Sequence, residues 1–280
     1  MSNEFLDALI KIAIAEDIGD GDHSSLSWIP STAKGKAQLL IKQKGILAGM
    51  EIAKKVFNEI DSSLSFEQFL FNGNEITPGD RAFIVEGKIQ SILQAERLVL
   101  NIMQRMSGIA TITKMYADKL AGTKAKILDT RKTTPGMRYL EKLAVKIGGG
   151  ENHRMGLHDM IMLKDNHIDF AGGIVAAITK ANQYLENINK DLKIEIEARN
   201  LSEVKTIINF GSVNRIMLDN FNYDDTREAV KLINGQFEIE SSGGITLDTI
   251  RGYAECGVDY ISVGALTHQI KSLDMSLKAI

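Results

Sequence analysis

"KIEIEARNLSEVKTIINFGSVNRIMLDN", Lys193 to Asn220, contains one complete repeat of the pattern that governs the second half of the chain. A short apolar run, Lys193 to Ala198, precedes a segment suited to a helix, Leu201 to Asn209, and a second apolar run follows at Arg215 to Leu218. Runs this short, bounded by polar residues and glycine, read as strands, and the segment between them as the helix that connects them. The runs recur on both sides as "KAKIL" (124–128), "MIML" (160–163), "FEIE" (237–240) and "DYISV" (259–263), and Leu247 to Cys256 reads as a further helix. Strands that alternate with helices pair in parallel, and right-handed crossovers bring their C-terminal ends to one face. These six runs suit either a doubly wound sheet or a (β/α) barrel with strands missing. The barrel is preferred because the glycine-bearing stretches "SSGG" (241–244) and "GA" (264–265) follow the last two runs, where barrels keep their phosphate sites.

The first hundred residues mix their elements. A helix near 3–16 ends at "DIGDGDHSS", "KAQLLIKQ" and "AFIVEG" read as strands, and "FNGN" as a turn. A long helix is expected from about Ile89 to Ala121, with Ile92, Ala95, Val99, Ile102, Met106 and Ile109 on its core side. Arg97, Gln104 and Gly108 lie off that stripe, and Ser107-Gly108 is expected to loosen or break the helix.

Lys and Arg number 33 against 36 Asp and Glu, and a net charge of -3 argues against a protein devoted to covering nucleic acid. Any cationic site must therefore be local. The single Cys256 excludes an internal disulfide and a cysteine metal cluster, and suits a reducing compartment. The N-terminal stretch carries acids within its apolar residues, unlike a signal peptide, and no run of about 18 apolar residues occurs. A soluble cytoplasmic protein is expected, with neither a membrane nor a nucleic acid as partner.

The residues just past each run carry the chemistry. They are Asp129-Thr130-Arg131-Lys132, Lys164-Asp165-Asn166-His167, Glu197 with Arg199, Asp219-Asn220, Ser241-Ser242-Gly243-Gly244, and Gly264-Ala265 with Thr267-His268. In a barrel these converge at one mouth. Arg131, Lys132 and Lys164, with His153-Arg154 from "GGGENHRMG", can neutralise carboxylates or phosphates. Glu197 and Asp219 are hard oxygen ligands suited to a largely hydrated Mg²⁺ near phosphates. Bland readings stay open beside these: strand-end ion pairs, a Gly-Gly turn that merely connects, satisfied histidines at 153, 167 and 268, and a solvated Arg97. The histidines lack the H-x-x-x-H spacing of a zinc site, and the methionines read as core.

"ERLVLNIMQRMSGIAT", "DTRKTTPGMRYLEKLAVKIGGGENHRMGLHDMIMLKDNHI", "EIEARN", "IMLDN", "ESSGGI" and "SVGALTH" together resemble the quinolinate phosphoribosyltransferases, also called nicotinate-nucleotide pyrophosphorylases (carboxylating). The similarity runs from "AIAEDIGDGDHSS" nearly to the C-terminus, and Lys164 in "LKDNH" separates it from a related molybdenum-associated family. The resemblance implies an α/β subunit with an N-terminal α/β sandwich domain and an open, incomplete (β/α) barrel. Residues 1–111 would form the first and 112–268 the catalytic barrel, with a tail, about 269–280, that can pack back on the sandwich. It implies at least a homodimer, Mg²⁺ as cofactor, and transfer of phosphoribosyl from phosphoribosyl pyrophosphate to quinolinate with decarboxylation, in NAD biosynthesis. By the same resemblance Arg97 (from the neighbouring subunit), Arg131, Lys132, His153, Arg154 and Lys164 bind quinolinate. Lys132, Thr133, Glu197, Asp219, Ser242, Gly243, Gly244, Gly264, Ala265 and His268 bind phosphoribosyl pyrophosphate. Glu197 and Asp219 also hold Mg²⁺, directly or through water, and Lys132, Lys164, Glu197 and Asp219 form the catalytic set. Two rivals remain: an aldolase with Lys164 as Schiff-base nucleophile, and a non-catalytic phosphate binder that needs neither Glu197 nor Asp219.

Overall fold

A computed structural model describes residues 3–280. The chain divides into two compact units. The first takes the chain through Lys114 and adds Thr133–Gly149 and Gln269–Ile280. In chain order it begins with helices α1 (Asn3–Ile18) and α2 (His23–Leu26), strands β1 (Lys34–Ile41) and β2 (Gly45–Ile46), and helix α3 (Met50–Ile60). Strands β3 (Ser65–Gln68), β4 (Glu75–Ile76) and β5 (Arg81–Lys88) and the long helix α4 (Ile89–Lys119) follow. The main sheet of this unit has the order β12-β1-β5-β3, where β12 is Met275–Ala279 from the C-terminal tail. Alternation along β1 and β5 buries Leu39, Ile41, Phe83 and Val85, and Phe57 of α3 packs its ring edge-on to Phe83 at 5.9 Å.

Two expectations change here. Helix α4 runs unbroken through Ser107-Gly108. The Ser107 hydroxyl accepts from the Ala48 amide (2.9 Å) and donates to the Ala48 carbonyl (3.2 Å), and a Cβ on Gly108 would meet the backbone of Lys271. The small residues therefore serve close packing and do not break the helix. The other change is that Thr133–Gly149, assigned by sequence to the barrel, groups with the first unit. Its helix α5 (Arg138–Ile147) buries Glu141, which Arg105 of α4 grips through Nε (2.8 Å) and Nη2 (2.6 Å).

The second unit is Met115–Lys132 with Gly150–His268. Every one of the six runs becomes a strand: β6 (Lys126–Leu128), β7 (Ile161–Leu163), β8 (Ile194–Ala198), β9 (Arg215–Asp219), β10 (Glu238–Ser242) and β11 (Tyr260–Ser262). Helices α6 (Asp165–Ala171), α7 (Ile174–Ile188), α8 (Leu201–Phe210), α9 (Tyr223–Ile233), α10 (Ile250–Glu255) and α11 (Ala265–His268) come between and after them. The sheet is parallel in the order β6-β11-β10-β9-β8-β7, so β6 and β7 are its two ends and the barrel stays open between them. Asn200 and Asn222 cap α8 and α9 by accepting from the Glu203 and Asp225 amides, which starts each crossover helix sharply after its strand.

Register decides what each face of this sheet carries. Glu195 lies opposite Arg215, and Arg215 opposite Glu238; Glu197 and Glu240 both face Met217, and Ser242 faces Asp219. Side chains alternate along a strand, so these residues share one face, while Ile194, Ile196, Ile216, Leu218 and Ile239 take the other. The apolar face suits the buried sides of α8 (Val204, Ile207) and α9 (Ala229, Ile233). The inner face is a stack of ionisable groups, which burial makes costly unless they are paired. Among the described residues no helix is long and apolar enough to cross a membrane.

Candidate active site

The C-terminal ends of the six strands carry three groups of side chains. At β6, buried Asp129 accepts from the His153 amide (2.9 Å) and from Asn152 Nδ2 (2.5 Å), which fastens the 150–154 loop to the strand end. That loop places Arg154 near Arg131. Burial, and then the charge of Arg131, lower the Arg154 guanidinium from its ordinary value. Arg154 donates one bond, from Nη1 to the Met160 carbonyl (3.3 Å), while the Nε of half-buried Arg131 has no hydrogen-bond partner. A guanidinium whose charge is opposed by burial and by Arg131, together with the unused Nε donor of Arg131, favours a planar anion with oxygens for both.

The second group joins β6 to β11. Thr267 donates to the Lys132 carbonyl (2.8 Å), and a Cβ on Gly264 would come 3.1 Å from both Lys132 Cδ and His268 Nε2. Lys132, Gly264, Ala265 and His268 are thus neighbours, with Lys132 and His268 exposed. In the third group, Glu197 of β8 is nearly buried and takes Lys164 Nζ at 2.5 Å and the Asp165 amide at 3.2 Å. Asp219, the last residue of β9, is raised from its ordinary value by burial and then by the charge of Glu197. Beyond it the Asn220 amide donates to the Ser242 carbonyl (2.9 Å), and Gly243, at φ +97°, leaves no room for a Cβ beside Asn220. Only glycine passes that turn easily, which leaves the 242–244 main chain open for an anion.

The structure therefore assembles Arg131, Lys132, His153, Arg154, Lys164, Glu197, Asp219, Ser242, Gly243, Gly244, Gly264, Ala265 and His268 in the second unit. Arg97 is exposed on α4 in the first unit, and Thr133, also in the first unit, accepts from Arg138 Nε (3.1 Å). His153 departs from the simple picture of a mouth residue. Its Nδ1 accepts from the Arg154 amide (2.7 Å), and its Nε2 lies 2.9 Å from Glu195 and 3.4 Å from Glu240. Burial opposes a charged ring, but the two carboxylates outweigh it and raise His153 to about 9. The Arg154 amide at Nδ1 favours the neutral ring and the two carboxylates favour the charged one, so the two influences on His153 oppose each other. The sequence reading missed Glu195, Arg215 and Glu240. Their signal was the alternation I-E-I-E at 194–197 and E-I-E at 238–240, which puts glutamates on one face of adjacent strands.

Fold and site together define a (β/α)-barrel enzyme that handles anionic substrates, with cations, carboxylates and glycine turns at the strand ends. The description "Quinolinate phosphoribosyl transferase, C-terminal domain" matches residues 109–278, and "Quinolinate phosphoribosyl transferase, N-terminal domain" matches residues 22–107. The chain belongs to the quinolinate phosphoribosyltransferase family. It is 47% identical over 288 residues to the chloroplastic nicotinate-nucleotide pyrophosphorylase [carboxylating] of Arabidopsis thaliana, covering 98% of this chain and 82% of that one. It is 39% identical to a probable nicotinate-nucleotide pyrophosphorylase of Synechocystis, covering 98% and 92%. The crystal structure of NadC from Streptococcus pyogenes superimposes with a TM-score of 0.94 at 37% identity, covering 100% of this chain and 99% of that one.

Proposed function

We infer that the protein transfers phosphoribosyl from phosphoribosyl pyrophosphate to quinolinate and releases CO₂ and pyrophosphate, giving nicotinate mononucleotide for NAD biosynthesis. The single observation that carries the substrate reading is the Nε of Arg131, a half-buried donor without a hydrogen-bond partner just past β6, where the loop that bears Arg154 is fastened to the same strand end. A pyridine with adjacent carboxylates meets both arginines at once. Lys164, with Arg97 from a neighbouring subunit, completes the anion pocket, and the loop of His153 frames it. Lys164 Nζ is committed to Glu197 in the free enzyme, which disfavours the Schiff-base alternative.

Phosphoribosyl pyrophosphate is assigned to the other side of the mouth, its 5′-phosphate on Ser242, Gly243, Gly244, Gly264 and Ala265, with His268 and Thr133 alongside. Lys132 stands between the two substrates. Glu197 and Asp219 meet the ribose hydroxyls. As pyrophosphate leaves, positive charge grows at the anomeric carbon, and carboxylates beside the ribose would lower the barrier electrostatically. The ring nitrogen then attacks, and its new positive charge stabilises the carbanion left at C2 when CO₂ departs. A cation clamped on the departing carboxylate would stabilise the ground state, so Arg131 and Arg154 work by orientation, with Lys132 or Lys164 as proton donor at C2. The raised Asp219 beside Glu197 is a donor set that fits a hard cation, and we assign Mg²⁺ to these two, directly or through water. When bound it would neutralise charge on the leaving pyrophosphate.

The working unit is proposed to be a homodimer or larger, with Arg97 reaching into the partner's site. A cytoplasmic location suits the single, unpaired Cys256, although named relatives include chloroplastic and mitochondrial proteins. The ligand assignment is tested by Glu197→Gln and Asp219→Asn. Each should raise the KM for phosphoribosyl pyrophosphate and the Mg²⁺ requirement, and leave the quinolinate Kd, measured alone, nearly unchanged. Loss of quinolinate binding in either variant would move these carboxylates to the other half of the site.

A further inference from the structure

Arg105, on α4, belongs to neither substrate's ligand set, yet a polar array in the first unit converges on it. Its Nε and Nη2 donate to Glu141 Oε1 at 2.8 and 2.6 Å, and the same Nη2 donates to Thr134 Oγ1 at 2.8 Å. Glu141 Oε2 accepts from the Thr134 amide at 3.1 Å. Thr134 is thus held twice, by its hydroxyl and by its main chain, from partners 29 and 7 residues away. It opens a turn that the Met137 amide closes on the Thr134 carbonyl at 3.0 Å. Pro135 and Gly136 (φ +78°) take the two central positions, the order a type II turn favours. Just ahead of the turn, Thr133 Oγ1 accepts from Arg138 Nε at 3.1 Å.

Stability alone does not account for this arrangement. Glu141 is fully buried on α5, where an apolar side chain of similar size would pack without the desolvation penalty of a carboxylate. Its second oxygen is directed at the Thr134 amide in the loop ahead of the helix. Thr134, Pro135 and Gly136 are exposed and belong to no helix or strand, and such a stretch moves unless a rigid element holds it. Helix α4, 31 residues long, is that element. Lys132, by contrast, has anchors of its own: its amide donates to Thr130 Oγ1 at 3.1 Å, and its carbonyl accepts from Thr267 at 2.8 Å. The array therefore governs the chain from Thr133 onward, and Lys132 stays where its own bonds place it.

We propose that Arg105 and Glu141 are positioning residues for the phosphoribosyl pyrophosphate subsite: they grip Thr134 by its hydroxyl and its amide, and so fix the neighbouring Thr133 for that substrate. This rests on the reading of Thr133 as a contact of phosphoribosyl pyrophosphate. A planar guanidinium suits the task, because one fork meets a carboxylate and a hydroxyl together, whereas the single nitrogen of an ammonium does not reproduce that geometry. A substrate contact on an exposed loop works only when a second layer of bonds holds its main chain in place.

Steady-state kinetics and calorimetry on the full-length protein test this with three variants. Thr134→Val removes the hydroxyl from an exposed side chain and keeps its shape, Thr134→Ser keeps the hydroxyl, and Arg105→Lys keeps the charge against Glu141 without the fork. Valine should raise the KM for phosphoribosyl pyrophosphate roughly three- to tenfold, measured at saturating quinolinate and Mg²⁺, and leave the quinolinate Kd, measured alone, within about twofold. Serine should bring that KM back to within about twofold of wild type. Lysine should match or exceed the loss seen with valine. An unchanged KM in Thr134→Val would overturn the proposal even where Arg105→Lys fails to fold. So would equal weakening toward both substrates, or a loss that serine does not rescue, since either would reduce the array to a support of the fold. If wild type is not saturated by phosphoribosyl pyrophosphate, the substrate reading falls and this proposal with it, a result distinct from unaltered variants of an enzyme that is.

Discussion

Replacing Arg215 by Met should be the most damaging single change in the second unit that touches no proposed ligand of either substrate. Arg215 is the cation that compensates Glu195 and Glu240, both fully buried, and it also holds Glu238 at 3.0 Å. Its removal leaves two carboxylates in the inner layer with His153 as their remaining partner within salt-bridge distance. Removing one partner of a buried charge network costs about 3 to 5 kcal/mol, because the surviving charges keep their desolvation penalty. For a folded unit of this size that corresponds to a fall of roughly 6 to 20 °C in Tm. The assay is thermal and urea unfolding followed by circular dichroism, with attention to the transition that moves. A second variant makes the inference specific: adding Glu240→Gln to Arg215→Met removes one orphaned charge and should recover more than about 1 kcal/mol, a coupling that independent sites do not show. A cost below about 1 kcal/mol for Arg215→Met, or strictly additive effects, would refute the picture of a dry, charge-balanced inner face.

In the first unit, Asp61 is held down to about 2, first by the Ser63 hydroxyl and amide and then by Ser91, whose Oγ donates to it at 2.8 Å. A carboxyl lowered on folding adds stability above its ordinary value of 3.8 that is lost as pH falls toward 2. Ser91→Ala should therefore cost up to about 1 kcal/mol near pH 6 and progressively less as pH falls through about 2; a gap that stays constant over that range would contradict it. Arg97→Ala and Lys132→Ala homodimers should each be nearly inactive, and co-refolding the two should restore about a quarter of wild-type activity, since half the dimers are mixed and one site in each is then intact. Mixed dimers confirmed by mass but without activity would place Arg97 in its own subunit's site or in the fold alone.

The β/α half of the chain was legible because its signal is local. Each run and each loop announces itself within about ten residues, so β6 to β11 fall on the six apolar runs, and the candidate residues at 131–132, 164, 219, 242–244 and 264–265 lie at or just past their C-terminal ends. What failed to show were pairings between distant residues. Ser107-Gly108 reads locally as a helix breaker, and only the approach of Ala48 and Lys271 reveals it as a packing notch. Thr133–Gly149 follows a barrel strand directly, and its allegiance to the first unit depends in part on the Arg105–Glu141 pair, 36 residues apart. Glu195 and Glu240 were visible as alternating glutamates, but reading those strands as plain buried runs hid the question of what could pay for two carboxylates inside. The answer, Arg215 and His153, comes from two other stretches of sequence.

The central claim is that the cations at the barrel mouth recognise two carboxylates on one ring, and the most direct measurement is kcat/KM for quinolinate against nicotinate, with phosphoribosyl pyrophosphate and Mg²⁺ held constant. Nicotinate leaves one of the Arg131, Arg154 and Lys164 contacts unmade, and a lost charge-assisted bond costs about 1.5 to 3 kcal/mol, a preference of roughly 10- to 200-fold for quinolinate. A preference in that range, with one CO₂ released per nicotinate mononucleotide formed, is the predicted result. Equal kcat/KM for the two acids would contradict it.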